Sequence, residues 1–291
     1  MMSGPNAIRA FQKSLLAAAP QLHRALPWSS VSDPWAILVS EVMLQQTQVA
    51  RVIPAWLNFL DLFPTPQVCA AAPLADILRA WQGMGFARRA RNLQLAAQVI
   101  VNDFDGVVPS TPAALRSLPG VGAYTAHAVA SFAFRQPVAV LDTNVGRVVA
   151  RAIANETLTA KRAQEVATEL LGTTDSAQWN QLMLDLGAQF CRATPLCETC
   201  PVASACAWRR AGGPDPAVRS GGVSTPQTRF AGSLRQQRGM VLRSLGATPM
   251  SRTMLEQQAG IDPVRLPEVL DGLVSDGLVE RRKYSYYLPG D

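Results

Sequence analysis

The residues with the clearest chemical signal are four cysteines in the stretch CRATPLCETCPVASAC, residues 191–206. Five, two and five residues separate them, and a proline follows the third. Thiolates grouped in this way can form two disulfides, bind zinc or hold an iron–sulfur cluster. Structural zinc sites of the ribbon type ordinarily use two C-x-x-C pairs, whereas this stretch has one. A compact loop of four thiolates suits a [4Fe–4S] cluster better.

Composition indicates a folded chain rather than a disordered or membrane-spanning one. The 291 residues give room for two or three domains, and 48% of them are apolar while 16% are charged. The longest apolar runs, such as VASFAF, are too short to cross a bilayer, and the N-terminus lacks the pattern of a signal peptide. We therefore expect a cytoplasmic protein without a membrane partner, in which disulfides are rare.

The net charge of +6 favours a polyanionic partner. The basic residues are nearly all arginines, and lysine occurs only at Lys13, Lys161 and Lys283. Arginine suits bidentate contacts to phosphate, but a bias of this kind also arises from genome composition. Charge alone therefore favours nucleic-acid binding only slightly.

Helix signals dominate the first 210 residues. Asp33 and Pro34 have the form of an N-cap followed by proline at the first helical position. Apolar residues then recur at helical spacing until Pro54, where we expect an interruption. Strand signals are weak before residue 275. Further helices are predicted at about 74–83, 87–103, 112–117, 123–134, 144–154, 160–171 and 176–190.

The C-terminal part has a different pattern. Residues 211–228 are rich in Gly, Pro and Ser, which is typical of a linker. Three short helical patterns follow, and LVERRKYSYYLPG then alternates as a β-hairpin does. This order resembles a winged helix-turn-helix, a frequent nucleic-acid-binding module. A small packing or protein-contact domain is nearly as well supported.

The stretch LPGVG at 118–122 predicts a tight hairpin between two helices. Gly120 and Gly122 permit the turn and leave backbone N–H groups exposed at the N-terminus of the second helix. Such a terminus binds phosphate without any side chain. An ordinary helix–turn–helix corner would have the same pattern.

Two carboxyl groups stand where acid–base chemistry could use them. Glu41 interrupts the apolar helix ILVSEVMLQQT, where partial desolvation is expected to raise its pKa and suit it to a general acid. Asp142 follows the apolar run VAVL and precedes a new helix. An amphipathic-helix glutamate and an N-cap aspartate are the ordinary alternatives, and each is the better interpretation when its motif is taken alone.

Taken together, these motifs resemble the helix–hairpin–helix DNA glycosylases that carry an iron–sulfur cluster. SEVMLQQTQVARVIPAW, LPGVGAYTAHAV, LDTNVGRV and LMLDLGAQFC are most similar to MutY-like adenine DNA glycosylases, over roughly residues 20–210. The resemblance implies an all-α fold with a six-helix barrel domain (29–135) and an iron–sulfur cluster domain (1–28 and 136–210). A linker (211–229) and a small winged-helix-like α+β domain (230–291) would follow, in place of a MutT-like C-terminal domain.

The resemblance also implies a reaction. The adenine mispaired with 8-oxoguanine or guanine would be extruded from duplex DNA into a pocket. Glu41 would protonate the base, Asp142 would stabilise the oxocarbenium-like sugar or bond to it transiently, and Asn144 would help to hold this arrangement. Tyr124 stands where strand-cleaving relatives have the lysine that forms a Schiff base, so we expect a monofunctional glycosylase.

Further residues are assigned by the same resemblance. Gln45 or Gln46 would fill the space that the base vacates, and Gln181 and Leu184 would line the adenine pocket. The remaining assignments are to base-pocket or DNA contacts and to the cluster. The DNA contacts are Arg24, Trp28, Leu118, Gly120, Val121, Gly122, Arg88 and Arg91, with Arg89 as a further phosphate contact, and the [4Fe–4S] ligands are Cys191, Cys197, Cys200 and Cys206.

Two other functions stay open from sequence. One is a thymine or uracil–guanine mismatch glycosylase of the same superfamily, which can also carry tyrosine at the position of Tyr124. The other is a non-enzymatic iron–sulfur regulator that binds DNA. In the favoured interpretation the protein is a monomer associated with the nucleoid, and its cluster is structural. Two departures from relatives are a first cysteine spacing of five residues instead of six, and Phe86 where many have tyrosine.

Overall fold

The computed structural model describes residues 4–172, 174–221, 223 and 229–291. The chain divides into two compact units. Unit 1 comprises residues 1–32, 110–112 and 123–226, and unit 2 comprises residues 33–109, 113–122 and 227–291. These units group the segments differently from the predicted domains, whose boundaries stay a prediction.

The described residues are mostly helical, as predicted. No described helix has the length and apolar character that crossing a membrane requires. The α-helices are α1 (Pro5–Ala17), α2 (Ala19–Leu22), α3 (Pro34–Leu44), α4 (Val49–Leu62), α5 (Pro66–Ala71), α6 (Leu74–Ala80), α7 (Arg88–Asp103), α8 (Pro112–Leu115), α9 (Ala123–Phe134), α10 (Thr143–Val148), α11 (Ala160–Leu171), α12 (Ser176–Gln189), α13 (Ala207–Ala211), α14 (Leu234–Ala247), α15 (Arg252–Gln258) and α16 (Leu266–Ser275).

Helix α3 forms the centre of unit 2. Asp33 caps it as predicted, because its carboxylate accepts hydrogen bonds from the N–H groups of Trp35 at 3.1 Å and Ala36 at 3.3 Å. Residues 35–43 are all buried. A helix buried on every side is fixed in position by its neighbours, so α3 is a rigid support for Glu41.

The predicted interruption at Pro54 is wrong. Helix α4 runs through Pro54, and the break lies instead between α3 and α4, where Gln46 adopts a left-handed φ of 57°. Proline removes one hydrogen bond near the start of α4. Burial of Trp56 and Phe59 on the same helix offsets that loss.

Helix α12 crosses the core of unit 1 and fixes the segment that leads to α10. The buried amide of Asn180 accepts a hydrogen bond from the N–H of Val140 at 3.0 Å. The same amide donates to the hydroxyl of Ser131 on α9 at 2.9 Å and to the carbonyl of Val138 at 2.8 Å. One side chain therefore holds α9 and residues 138–140 together, immediately before Asp142.

A π-helical stretch, Val149–Ala154, continues α10 and is buried throughout. It ends at Asn155, which adopts the left-handed conformation with φ of 51°. π-Helical turns are rare and occur frequently at functional sites. Arg151, in this stretch, lies in the interior of unit 1.

The C-terminal segment forms the predicted helices and hairpin. Three short antiparallel strands, β1 (Met250–Ser251), β2 (Glu280–Arg282) and β3 (Ser285–Tyr287), form a sheet in the order β1-β3-β2. Tyr286 pairs with Met250 on one side and Arg281 on the other. The segment belongs to unit 2, where Arg79 of α6 donates to the carbonyl of Gly246 at 3.0 Å.

The segment predicted as a linker is only partly described. Its residues 222 and 224–228 lie outside the described residues. A 3₁₀ turn, Pro216–Arg219, packs on unit 1, with Ala217 and Ser220 buried. This part of the segment is therefore a packed component of unit 1 rather than a free connection.

Candidate active site

Asp142 caps α10, and both of its carboxylate oxygens accept hydrogen bonds from neighbouring residues. One carboxylate oxygen accepts from the N–H of Val145 at 2.8 Å, and the other accepts from the side-chain amide of Asn144 at 2.6 Å. Burial raises the pKa of Asp142, while these two hydrogen bonds and the charge of Arg147 oppose that rise. The aspartate is thus the N-cap that its position suggests. Its pKa is set by burial on one side and by hydrogen bonds and the charge of Arg147 on the other.

A chain of hydrogen bonds leads from Asp142 towards the cysteine loop. The amide oxygen of Asn144 accepts from Arg147 at 2.7 Å, and Arg147 also donates to the carbonyl of Cys191 at 2.7 Å. Burial lowers the pKa of Arg147, and the three oxygens that it contacts, including that of Gly187, are all neutral. Asp142 and Cys191 are therefore connected through two side chains of α10.

Gly187 of α12 makes this connection possible. A Cβ atom at this position would lie 2.6–2.7 Å from atoms of Asn144, including its backbone. A Cβ atom does not approach other heavy atoms that closely, so only glycine lets α10 approach α12 in this way. Neither the hydrophobic pattern nor the motif LDLG gives this requirement.

Arg151 binds the cysteine loop directly. It donates to the sulfur of Cys191 at 3.4 Å and to the carbonyl of Arg192 at 2.6 Å, and it makes two hydrogen bonds to Asp215 at 2.9 and 2.6 Å. Burial lowers the pKa of Arg151, but the bonds to Asp215 and Cys191 outweigh that effect, so the guanidinium stays charged. Burial likewise raises the pKa of the Cys191 thiol, and the nearby arginines act in the opposite direction.

The four cysteines of the loop come together. Cys191, Cys197, Cys200 and Cys206 all line one cavity, whose other walls include Leu186 and Val202. None of the five cysteines, all of which are described, forms a disulfide. The fifth, Cys69, is fully buried, and burial raises the pKa of its thiol to about 12. Cys69 is accordingly a small apolar side chain of the core.

Glu41 lies in unit 2, on the buried helix α3. It is 4% exposed, and its neighbours along the helix are buried as well. The predicted amphipathic-helix alternative does not apply, because α3 has no solvent-facing stripe over residues 35–43. The carboxyl group of Glu41 is therefore largely removed from solvent.

The turn after α3, which carries Gln45 and Gln46, is fixed by Arg89. The prediction that Arg89 contacts phosphate is wrong, since the side chain is buried and its guanidinium is occupied by protein oxygens. Burial lowers the pKa of Arg89 to about 10. Its acceptors are the carbonyls of Val42, Met43, Gln45, Met84 and Gly85 and the hydroxyl of Thr47, at 2.5–3.1 Å.

The other two arginines of this region differ from Arg89. Arg88 is exposed and pairs with Asp276, and Arg91 lies beside Gly277. Both therefore adjoin the C-terminal segment of the same unit. Their assignment to DNA contacts stays a prediction.

The hairpin at 118–122 has the expected geometry. Leu118 and Val121 are buried anchors, and Gly120 has a positive φ of 77° with the side chain of Asn92 in the space that a Cβ atom would need. A Cβ atom at Gly122 would meet nothing within 4 Å. Helix α9 begins at Ala123, so Tyr124 lies in its first turn.

Arg24 and Gln181 both donate hydrogen bonds to Asp185, a residue that was not predicted from the sequence to belong to the site. Arg24 donates to one carboxylate oxygen of Asp185 at 2.5 Å, and Gln181 donates to the same oxygen at 2.9 Å. Asp185 is fully buried. An aspartate in the apolar run LMLDLG was the available signal. Of the other residues assigned to the pocket, Leu184 is half-buried against the core of unit 1, and Trp28 lies in a 3₁₀ turn, Pro27–Ser30.

Comparison with known proteins identifies the family of this chain. Residues 39–173 match the HhH-GPD superfamily of base excision DNA repair proteins. The chain is 42% identical to the adenine DNA glycosylase of Mycolicibacterium smegmatis over 92% of both chains. It is 40% identical to that of Mycobacterium tuberculosis, over 100% of this chain and 96% of the relative. The chain belongs to the adenine DNA glycosylase family.

More distant relatives show the extent of the likeness. The human adenine DNA glycosylase is 38% identical over 75% of this chain, which covers 42% of the human protein. A thermostable thymine-DNA glycosylase of known structure matches 71% of this chain with a TM-score of 0.65 and 27% identity. Because the adenine DNA glycosylases match more closely and over more of the chain, the thymine alternative is the weaker one. Membership of the family makes the chain a DNA glycosylase, so the non-enzymatic alternative is not supported.

Gly187→Ala is expected to destabilise unit 1. The added methyl group would overlap Asn144, so the free energy of unfolding should fall by about 1–3 kcal/mol. Gly239→Ala is the matched control, since this glycine lies within α14 with nothing within 4 Å of the added Cβ atom. The control should be neutral or gain about 0.5–1 kcal/mol from helix propensity. Urea unfolding measures both, and equal behaviour of the two variants would contradict the packing argument.

Proposed function

We propose that this chain hydrolyses the N-glycosidic bond of adenine mispaired with 8-oxoguanine or guanine in duplex DNA. The observation that carries the proposal is the environment of Asp142, a carboxyl group held by Val145 and Asn144 on a helix that is braced against the cysteine loop. The two mycobacterial relatives are adenine DNA glycosylases, which supports adenine as the base. The protein would act as a monomer on the nucleoid.

Glu41 is the proposed general acid. A carboxyl group buried among apolar side chains favours its protonated form, which is the form that can deliver a proton to the extruded adenine. Protonation makes the base a better leaving group. Gln45 and Gln46, on the turn fixed by Arg89, would occupy the space that the base leaves in the stack.

Asp142 is the proposed partner of the sugar cation. As a carboxylate it would stabilise the oxocarbenium-like transition state or bond to the sugar transiently. Its two oxygens accept hydrogen bonds from the N–H of Val145 and the side-chain amide of Asn144, and a carboxylate oxygen can accept more than one. The carboxylate therefore keeps capacity for the substrate while its orientation is fixed.

The reaction would stop at the abasic site. Tyr124 lacks an amine and cannot form a Schiff base with the sugar, which strand cleavage of the lyase type requires. We propose that the hairpin at 118–122 binds a DNA phosphate through backbone N–H groups at the start of α9. We further propose that Asp185, with Arg24 and Gln181, belongs to the adenine pocket.

The cysteine loop fits a [4Fe–4S] cluster. Its four thiols line one cavity, and Arg151 donates to the sulfur of Cys191, which favours the thiolate that a metal needs. No group of His, Cys, Asp or Glu side chains in the described residues could hold a metal ion in the arrangement shown. A cluster differs from a single ion because each thiolate bonds a separate iron around a cage. Bound there, it would supply structural support to residues 191–206.

Glu41→Gln should abolish most adenine release with DNA binding retained. Loss of a general acid lowers the rate by roughly 10²–10⁴-fold. Single-turnover assays on A:8-oxoguanine and A:G duplexes measure this, and Glu156→Gln, an exposed glutamate, is the control. Activity in the Glu41→Gln variant would show that Glu41 is not the general acid. Release of thymine instead of adenine by the wild-type protein would favour the other glycosylase class. Strand cleavage without base or heat would contradict the role of Tyr124.

Iron and acid-labile sulfide should each be present at about four per chain. Cys200→Ala should lose most of both, whereas Cys69→Ala should keep them, since that cysteine is buried in the other unit and does not line the cavity of the four thiols. Metal analysis of protein purified without air measures the outcome. Stoichiometric zinc in place of iron would overturn the proposal of an iron–sulfur cluster.

Asn144→Ala should shift the acid side of the rate profile to higher pH. The Asn144 amide lowers the pKa of Asp142 by donating to its carboxylate. Its removal raises that pKa, so a higher pH is needed to ionise Asp142. Adenine release under single-turnover conditions between pH 5 and 8 tests this, with the exposed Asn58→Ala as control. A uniform loss of rate at every pH would show that Asn144 does not act on this ionisation.

A further inference from the structure

The winged-helix-like segment carries its positive charge on an unexpected helix. In helix-turn-helix modules the recognition helix enters the major groove, and in this segment α16 has that position. Yet α16 contains Glu268 and Asp271 and no lysine or arginine. Helix α14 contains three arginines and no acidic residue. Phosphate repels an acidic helix, so DNA contact through α16 is disfavoured.

Helix α14 forms one wall of a cavity of about 500 Å³ within unit 2. The turn at Gln45 and Gln46 and the loop at residues 82–89 form other parts of the lining. A volume of this size is typical of a small-molecule or nucleotide site. The charged lining residues are five arginines and one aspartate, namely Arg88, Arg89, Arg235, Arg238, Arg243 and Asp276.

The charge of the cavity is therefore strongly positive. Asp276 is shared, because it pairs with both Arg88 and Arg238. Arg89 bonds only to neutral oxygens and keeps its charge. A cavity with such an excess of guanidinium groups is complementary to an anion, and guanidinium groups match phosphate in particular.

The lining also provides a flat surface in which an aromatic ring and a guanidinium plane are stacked. The guanidinium of Arg235 lies over the ring of Phe86 at 5.1 Å and over the nearby ring of Phe230, outside the lining, at 5.2 Å. Trp81 and Leu242 extend the apolar part of the lining. Rings and guanidinium planes are the surfaces on which unstacked bases bind.

Two lining residues have strained backbones. Gln46 and Phe86 adopt left-handed φ values of 57° and 48°. For residues with large side chains this conformation is strained and is concentrated at functional sites. Arg89 maintains it by bonding to carbonyls on both sides, those of Gln45 and Gly85.

We propose that this cavity binds one nucleotide of the DNA substrate, with the base on the stacked surface of Phe86 and Arg235 and the phosphate against the other arginines of α14. The C-terminal segment would then bind DNA through its first helix rather than its third. The proposal rests on the proposed function for the identity of DNA as the partner. Since Gln45 and Gln46 line the same cavity, the nucleotide would lie next to the point where the base is extruded.

Charge reversal on α14 tests the phosphate contact. Arg243→Glu should weaken binding to a duplex with a stable abasic-site analogue by about tenfold and reduce the salt dependence of affinity by about one phosphate contact. Lys283→Glu, in the exposed turn of the hairpin, makes the same change in charge where a conventional wing would meet DNA. Near-normal affinity of that control supports the proposal. An equal loss in both variants, a loss in Lys283→Glu alone or no loss in either would overturn it.

Filling the cavity tests the base site without changing charge. Leu242→Trp should weaken binding to the same duplex, whereas Val264→Trp, at a position 84% exposed on the same segment, should not. Unchanged affinity of a folded Leu242→Trp protein would leave the cavity to another class of ligand, such as an acidic peptide, and would overturn the proposal. These assays measure binding alone, so they stay decisive even if the wild-type protein releases no adenine.

Discussion

Two buried guanidinium groups connect the cysteine loop to the segment that carries Asp142. Arg147 and Arg151 both reach the main-chain carbonyl of Cys191, at 2.7 and 3.3 Å. A buried ion costs several kcal/mol unless the protein supplies oxygens that replace water. The carbonyls of residues 191–193 supply part of those oxygens, so displacement of the loop would remove acceptors from both guanidinium groups. The geometry at Asp142 therefore depends on residues that begin 49 positions later in the chain.

This dependence gives a cluster a physical role without a part in the reaction. Metal binding to a site that is not preformed is coupled to folding, and its free energy stabilises the folded loop. A loop held in that way presents the carbonyls of residues 191–193 to Arg147 and Arg151. If the cluster were lost, Arg147 would lose acceptors. Asn144 would then transmit the change in the position of Arg147 to Asp142.

Local features were predictable from sequence and long-range ones were not. The cap at Asp33, the helices 123–134 and 160–171 and the C-terminal hairpin follow from turn chemistry and periodicity within a few residues. Arg89 shows the limit, because an arginine in a basic run has the same local pattern whether it meets phosphate or is buried among carbonyls some 45 positions away. Asp185 was missed for the same reason, since its partner Arg24 is 161 positions away.

The placement of Asn144 between Arg147 and Asp142 suits a carboxylate that must meet a cation. A direct ion pair with a buried arginine would lower the pKa of the aspartate and neutralise the charge that the sugar needs. An amide transmits orientation, since it accepts from Arg147 at 2.7 Å and donates to Asp142 at 2.6 Å, but it carries no charge. Burial raises the pKa of Asp142, and the amide of Asn144 and the charge of Arg147 act in the opposite direction, which favours the carboxylate. In the proposed reaction this arrangement would fix the carboxylate and keep its charge available for the oxocarbenium-like sugar, which a tighter salt bridge would not do.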